Sequence, residues 1–104
     1  MKAIIILLVG LAILLSGCVS AKTPDQVRAE TACTLLCKLQ LQKGRSLSEG
    51  PCINNEVIPD WVCDVAHSPR QAVDDQPGNQ CPAFGLTASH FVEVDPSCNV
   101  IRSV

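Results

Sequence analysis

The chain has few aromatic residues and no surplus of basic ones. It contains no tyrosine, one tryptophan and two phenylalanines in 104 residues, so any hydrophobic core must be small and mostly aliphatic. Beyond residue 18, seven basic side chains stand against ten acidic ones, a formal charge of −3. The sequence shows no basic patch that would indicate nucleic acid or acidic lipid as a partner. A glycine-rich phosphate loop and a cofactor fingerprint are also lacking, which argues against an enzyme and against a bound cofactor.

Charge is absent from one long stretch near the start of the chain. Lys2 precedes the apolar run Ala3–Leu15, and two small residues then lead to Cys18. This order is typical of a secretion signal. A transmembrane anchor is the alternative, because residues 3–21 carry no charge and are barely long enough to cross a bilayer. Both interpretations place the rest of the chain outside the cytoplasm.

The segment Leu15-Ser16-Gly17-Cys18 resembles the lipobox of prokaryotic lipoproteins. The resemblance implies a signal peptide over residues 1–17, a lipidated Cys18 with a tether over 18–22, and an extracytoplasmic domain over 23–104. One acyl chain binds a membrane only marginally, so it also implies a diacylglyceryl group. Val19 is not the aspartate that usually retains lipoproteins in an inner membrane. The expected location is therefore the cell membrane or envelope, with inner or outer membrane left open.

Six cysteines remain once Cys18 is assigned to lipid: Cys33, Cys37, Cys52, Cys63, Cys81 and Cys98. An even number in a small exported domain predicts three disulfides. A domain of this size buries little apolar surface, so it needs such cross-links. We predict the pairs Cys81–Cys98, Cys37–Cys52 and Cys33–Cys63. The first pair flanks the C-terminal hairpin, and the second joins the helix end to the loop that follows it.

A helix is predicted from Thr23 to about Gly44. Thr23 can cap its start, and Pro24 suits a first position where no amide hydrogen is needed. Gly44 accepts the left-handed conformation in which helices commonly end. One apolar stripe recurs at helical spacing and should be buried: Ala29, Ala32, Cys33, Leu36 and Cys37.

Cys33 and Cys37 lie four residues apart, so they project from one face of this helix. A redox dithiol or half of a metal site is one interpretation. Redox pairs of the thioredoxin kind have a spacing of three and lie at a helix N-terminus. The mid-helix position instead favours two structural disulfides to different segments.

The remainder predicts a loop, two turns and three strands. Residues 45–60 are rich in turn formers and predict a loop, whereas Trp61–Ala66 alternates like a strand with Trp61 towards the helix. A helical turn is expected from Ser68 through about Asp74, and a turn at residues 76–79. The C-terminus predicts a hairpin of residues 90–95 and 100–104 around a four-residue loop. Its register pairs Val94 with Ile101, Glu93 with Arg102, and Phe91 with Val104.

The fold class is therefore predicted as α+β. It is a small disulfide-stapled domain with one N-terminal helix packed on a three-stranded antiparallel sheet that ends in a C-terminal hairpin. Three segments, Asp60–His67, Asn79–Cys81 and His90–Asp95, together resemble a small family of exported cysteine-rich prokaryotic proteins, largely archaeal, with no assigned activity. The resemblance implies no specific function.

A candidate binding surface lies in the segment Ser68–Ser89, which is long for a connection in so small a domain. Binding loops on a rigid scaffold commonly mix charged and exposed apolar side chains. The candidate binding residues are Arg70, Asp74, Asp75, Phe84 and Leu86. The alternative is a passive covering of the sheet that places Phe84 and Leu86 in the core.

A second hypothesis is a metal-dependent or thiol enzyme. His67 and His90, with Asp64, Glu93 and a cysteine left reduced, could form a site of mixed ligands. No spacing here matches the zinc signatures, however. The sequence therefore favours a membrane-anchored extracytoplasmic lipoprotein with a binding or structural domain at the cell envelope, an envelope protein as its partner, no nucleic acid and no cofactor.

Overall fold

The computed structural model describes residues 21–104, so the predictions for residues 1–17 and for Cys18 lie outside the described residues. The helix α1 (Pro24–Gln42) is followed by four strands: β1 (Cys52–Ile58), β2 (Trp61–Val65), β3 (His90–Val94) and β4 (Val100–Ser103). Two short 3-10 turns, Ala72–Asp75 and Pro77–Asn79, lie between β2 and β3. Over residues 21–104, no helix combines the length and the apolar character that crossing a membrane requires.

Both ends of α1 confirm the predicted helix. The Thr23 hydroxyl accepts a hydrogen bond from the Gln26 amide at 3.1 Å, and Pro24 occupies the first turn. At the other end Gly44 adopts φ +83°, a conformation that costs glycine little. Three members of the predicted apolar stripe are fully buried, namely Ala29, Cys33 and Cys37. The other two, Ala32 and Leu36, are half-buried.

The sheet has four strands in the order β1-β2-β3-β4, with β2 and β3 parallel and the other pairs antiparallel. The prediction of three antiparallel strands is therefore wrong in two respects. Residues 52–58 form an edge strand instead of a loop, since Ile53, Val57 and Ile58 pack against the core. Parallel neighbours cannot be joined by a tight hairpin and need a connection of a dozen or more residues. Residues 66–89, called the crossover below, provide it.

The strand β2 is buried on both sides. Trp61, Cys63 and Val65 belong to the cluster that contains α1, as the alternation predicts. The opposite face carries a smaller cluster around Val62 and Cys81, because the crossover covers it. We call the two sides of the sheet the helix face and the crossover face.

The crossover begins its helical turn later than predicted. Gln71, not Ser68, precedes the 3-10 turn, and the Asp74 amide donates to the Gln71 carbonyl at 3.0 Å. The Gln71 amide donates to Asp74 Oδ2 at 2.9 Å. The start of the turn is therefore capped by the Asp74 carboxylate.

The C-terminal hairpin turns through three residues, 96–98, and not four. The Asp95 amide donates to the Asn99 carbonyl at 2.8 Å, and Cys98 adopts φ +71°. Three-residue hairpin loops typically end in such a left-handed residue followed by a bulge. Val94 consequently pairs with Val100, so the predicted Val94–Ile101 pair is wrong.

The bulge at Ile101 restores the predicted register beyond it. Two predicted pairs are confirmed, Glu93 with Arg102 and Phe91 with Val104, whose backbones exchange hydrogen bonds of 3.1 and 3.0 Å.

All six cysteines of the domain form disulfides: Cys33–Cys63, Cys37–Cys98 and Cys52–Cys81. The predicted Cys33–Cys63 bond is confirmed, and the other two predicted pairs are wrong. Cys98 points into the cluster on the helix face, where it meets Cys37. Cys81 lies on the crossover face, so the sheet separates it from Cys98, and the start of β1 supplies its partner.

Candidate functional site

A cavity of about 200 Å³ opens between the crossover face of the sheet and the crossover. Strand side chains point alternately to the two faces of a sheet. Cys63 and Val92 point to the helix face, so their neighbours along β2 and β3 point to the crossover face. The cavity is lined by Val62, Asp64, Arg70, Gln80, Cys81, Phe84, Phe91, Glu93 and Arg102. We call it the crossover cavity.

A buried carboxylate between two arginines forms one wall of the cavity. Glu93 is only 5% exposed. Arg70 Nη1 donates to its Oε2 at 2.7 Å, and Arg102 Nε donates to its Oε1 from the neighbouring strand. Buried charges persist where they are paired and hydrogen-bonded. Both Glu93 oxygens are therefore occupied within the protein.

Arg70 is held at the rim by a second carboxylate. Its Nε donates to Asp75 Oδ1 at 2.7 Å, while its Nη1 reaches Glu93. These ion pairs raise the pKa of Arg70, with the hydrogen bond to Asp75 as the largest cause. The Arg70 guanidinium thus links the exposed rim of the crossover to the buried strand β3.

Asp64 is the second carboxyl group of the cavity, and it sits beside Glu93 in the parallel register of β2 and β3. Burial raises the pKa of Asp64 to about 7, and the Glu93 carboxylate adds to the rise. The Val65 amide donates to Asp64 Oδ1 at 3.0 Å. No side chain of residues 21–104 forms an ion pair with Asp64. Asp64 therefore changes its charge near neutral pH while partly desolvated.

Two phenylalanines supply the apolar part of the lining. Phe84 packs edge-on against Phe91, with ring centroids 5.2 Å apart. The Arg102 guanidinium lies 5.1 Å from the centroid of the Phe91 ring, within the range of a cation–π contact. Phe84 is still 47% exposed, so its ring remains accessible at the mouth of the cavity.

Asp74 lies outside this cavity and is not displayed to solvent, which corrects the sequence prediction. It is 1% exposed and accepts hydrogen bonds at 2.9 Å from the amides of His67 and Gln71 and from His67 Nδ1. Burial alone would raise the pKa of Asp74, but these hydrogen bonds hold it below its ordinary value. A Cβ at Gly50 would collide with the carboxylate. The role of Asp74 is to fix the crossover in place.

The other predicted binding residues divide between the cavity and the open surface. Arg70 and Phe84 line the cavity, and Asp75 holds Arg70 at its rim. Leu86 is 83% exposed and lies outside the lining. The alternative is correct in that the crossover covers one face of the sheet, but its placement of Phe84 and Leu86 in the core is wrong.

Sequence reasoning did not assemble Asp64, Glu93, Arg102 and Phe91 into this site. One signal was available, since Asp64 is the single charged residue within Trp61–Val65. A charged residue in a strand buried on both sides needs a specific environment. The Glu93–Arg102 pair was predicted for its register alone.

The structure does not bring His67 and His90 together. His90 pairs with Trp61 at the start of β2 and stacks on its ring at 4.5 Å. His67 follows the end of β2, roughly 20 Å away at the usual rise of a strand. Residues 21–104 contain no cluster of three potential metal ligands, and their six cysteines are all bonded. The metal or thiol hypothesis thus gains no support from this arrangement.

No protein-family model, curated protein or solved structure matches this chain. The likeness to lipoproteins and to the small exported family remains a prediction from the sequence.

Proposed function

We propose that the protein is a membrane-anchored extracytoplasmic lipoprotein whose disulfide-bonded domain binds an envelope protein through the crossover cavity. The lipobox-like segment that ends at Cys18 supports the anchor. Three disulfides in one small domain support an oxidising compartment, because such bonds rarely persist in a reducing cytosol.

The observation that carries the binding role is Asp64. A partly desolvated carboxylate is costly unless a cationic or hydrogen-bonding group compensates it. Both arginines of the cavity already bind Glu93, and Arg70 also binds Asp75. A bound cation opposite Asp64 would supply the missing partner.

The size and lining of the cavity favour one basic side chain of a partner protein as the occupant. A volume of about 200 Å³ is below the roughly 300–1,000 Å³ of typical small-molecule sites. The aliphatic stem of a lysine or arginine fits against Phe84 and Phe91, since such stems pack on apolar surfaces while the charge reaches a polar group. Residues 46–104, which include the whole sheet and the crossover, carry eight acidic and two basic side chains, and this charge also attracts a basic partner.

The binding role is tested by partner capture from the protein's own membranes. The wild-type protein, Asp64→Asn and Glu56→Gln are each used as bait, and bound proteins are identified by mass spectrometry. Glu56 is an exposed acid on the edge strand β1, so it controls for loss of one negative charge. We expect Asp64→Asn to lose the partner and Glu56→Gln to retain it. Equal recovery with both variants would remove the cavity from consideration.

The pH dependence sharpens this test. A cationic group needs the ionised form of Asp64, so capture by the wild-type protein should strengthen as the pH rises through about 7.

The anchor has a separate test, because thioether formation with diacylglycerol needs the sulfur of Cys18. A metabolically supplied fatty acid should label the wild-type protein and leave Cys18→Ser blank. Equal labelling of the two would refute the lipoprotein assignment.

A further inference from the structure

The outer face of α1 carries large apolar side chains that are not part of the core. Val27, Leu35 and Leu39 are 49%, 58% and 45% exposed. They lie on the side of the helix opposite Ala29, Cys33 and Cys37, as the 3.6-residue period requires. The helix therefore has apolar side chains on two sides. The inner side packs in the core, and the outer side is exposed to solvent.

Charge is segregated along the chain, between the segment that contains α1 and the rest of the domain. Residues 19–45 carry five basic and two acidic side chains, a formal charge of +3, whereas residues 46–104 carry a formal charge of −6. Both acids of α1 are paired, Asp25 with Arg28 and Glu30 with Lys22. Lys38 and Lys43 form no ion pair within residues 21–104. The helix itself is neutral, with two basic and two acidic residues, and the positive charge of this segment comes from the residues at its two ends, Lys22, Lys43 and Arg45.

The helix also lies close to the proposed lipid attachment point. Lys22 Nζ is 2.8 Å from Glu30 Oε1, so the tether is held against α1 from residue 22 onward. Only residues 19–21 separate that fixed point from Cys18, a span of at most about 14 Å for extended chain. Such a distance is comparable to the Debye length of roughly 10 Å at 0.1 M salt. The start of α1 is therefore within reach of the membrane surface, and Lys38 and Lys43 come near that surface if the helix lies flat on it.

We propose that the outer face of α1 lies on the anionic surface of the membrane, with Val27, Leu35 and Leu39 at the boundary between headgroups and acyl chains. This inference rests on the proposed lipid anchor at Cys18. Basic residues beside exposed apolar ones are typical of helices that lie in the membrane interface. The second exposed apolar group, Phe84 and Leu86, lies on the crossover, whose one basic residue, Arg70, is held in ion pairs.

The orientation has a consequence for the crossover cavity. The helix and the crossover cover opposite faces of the sheet. A domain that rests on α1 therefore turns the cavity away from the membrane, towards a protein partner in the aqueous phase.

The test places a photo-crosslinker on each apolar group of the full-length lipidated protein. The variants Leu35→p-benzoylphenylalanine and Leu86→p-benzoylphenylalanine are reconstituted into vesicles of phosphatidylcholine with a minority of phosphatidylglycerol. Both leucines are exposed, so the pair is matched. Flotation with the vesicles is measured first, and lipid adducts are quantified by mass spectrometry after illumination.

We expect position 35 to give roughly tenfold more lipid adduct than position 86. Adding Lys38→Glu and Lys43→Glu to the first variant should lower its adduct at least tenfold, because two attractive charges near an anionic surface are replaced by two repulsive ones. Flotation with equal adducts at the two positions would overturn the membrane contact while leaving the anchor intact. A crosslinked dimer at position 35 would overturn it in favour of a second copy. Failure to float would refute the anchor and this inference together.

Discussion

The two faces of the sheet differ in what fills them. The helix face is covered by α1, contains two disulfides and has a continuous cluster of fully buried apolar residues. The crossover face is covered by an irregular segment, contains one disulfide and holds the ion pairs of the buried Glu93 beside a cavity. The first arrangement supplies stability, because apolar burial and cross-links do so without polar groups to satisfy. The second supplies charged groups in a rigid, accessible setting, which recognition needs.

The largest expected effect comes from removing one disulfide on each face. In the chain-entropy description, Cys37→Ala with Cys98→Ala releases a loop of 61 residues and costs about 4 kcal/mol. The corresponding change at Cys52 and Cys81 releases 29 residues and costs about 3.5 kcal/mol. Thermal unfolding should rank them in this order.

Hydrogen exchange then separates the faces. Loss of the Cys52–Cys81 bond should expose the amides of the crossover while β3 keeps its protection, since the helix-face cluster remains closed. Loss of protection throughout β2 and β3 in that variant would contradict the division between the faces.

The next effect concerns Asp74. Asp74→Ala leaves the amides of His67 and Gln71 without their acceptor, and we expect a loss of about 2–3 kcal/mol in the free energy of unfolding. Its neighbour Asp75 is the matched control, because its side chain is 63% exposed and Asp75→Ala should change stability by about 0.5 kcal/mol or less. Denaturant unfolding measures both. Similar values for the two variants would mean that the carboxylate does not hold the crossover.

A smaller effect is expected from Asp64, and it depends on pH. Its folded-state pKa of about 7 lies above the value in an unfolded chain, so its contribution to stability is full at acid pH and is lost as the pH rises through 7. Asp64→Asn should therefore stabilise the domain at pH 8, by on the order of 1–2 kcal/mol once solvent screening is allowed for. At pH 4 the variant and the wild-type protein should unfold at nearly the same temperature. A constant difference across this pH range would show that Asp64 keeps an ordinary pKa.

The smallest effect is expected on the outer face of α1. Leu35→Gln should change the free energy of unfolding by about 0.5 kcal/mol or less, because the side chain is exposed and makes no core contact. Ala29→Leu, on the inner face of the same helix, should cost about 1–3 kcal/mol through overpacking. Thermal melts of the two variants compare the faces of one helix directly. An equal loss would mean that the outer leucine is part of the core.

Local signals predicted α1, the Cys33–Cys63 bond and the outer register of the hairpin. These features depend on capping residues, helical spacing and cross-strand pairing, all of which are readable within a short segment. The edge strand β1 was missed because Asn54, Asn55 and Glu56 interrupt its apolar pattern. Its strand state comes from pairing with β2, which is a tertiary effect.

The parallel pairing of β2 and β3 could not be predicted from either strand alone, and two disulfides were mispaired as a result. The length of the segment after β2 was interpreted as a binding loop or a covering of the sheet, whereas a parallel connection requires that length for topological reasons. The same omission hid the cavity, since Asp64 and Glu93 become neighbours only when β2 and β3 lie side by side. The burial of Asp74 could not be predicted for a similar reason, because its hydrogen-bond donors, His67 and Gln71, are brought to it only by the folding of the crossover.

The division of roles between the faces is tested most directly in native membranes. The Leu35 and Leu86 photo-crosslinker variants are expressed in full-length form, illuminated in place, and compared with the same variants carrying Asp64→Asn. We predict lipid adducts at position 35 in both backgrounds, and at position 86 a protein adduct that disappears with Asp64→Asn. Lipid adducts at position 86, or a protein adduct there that survives Asp64→Asn, would contradict the account.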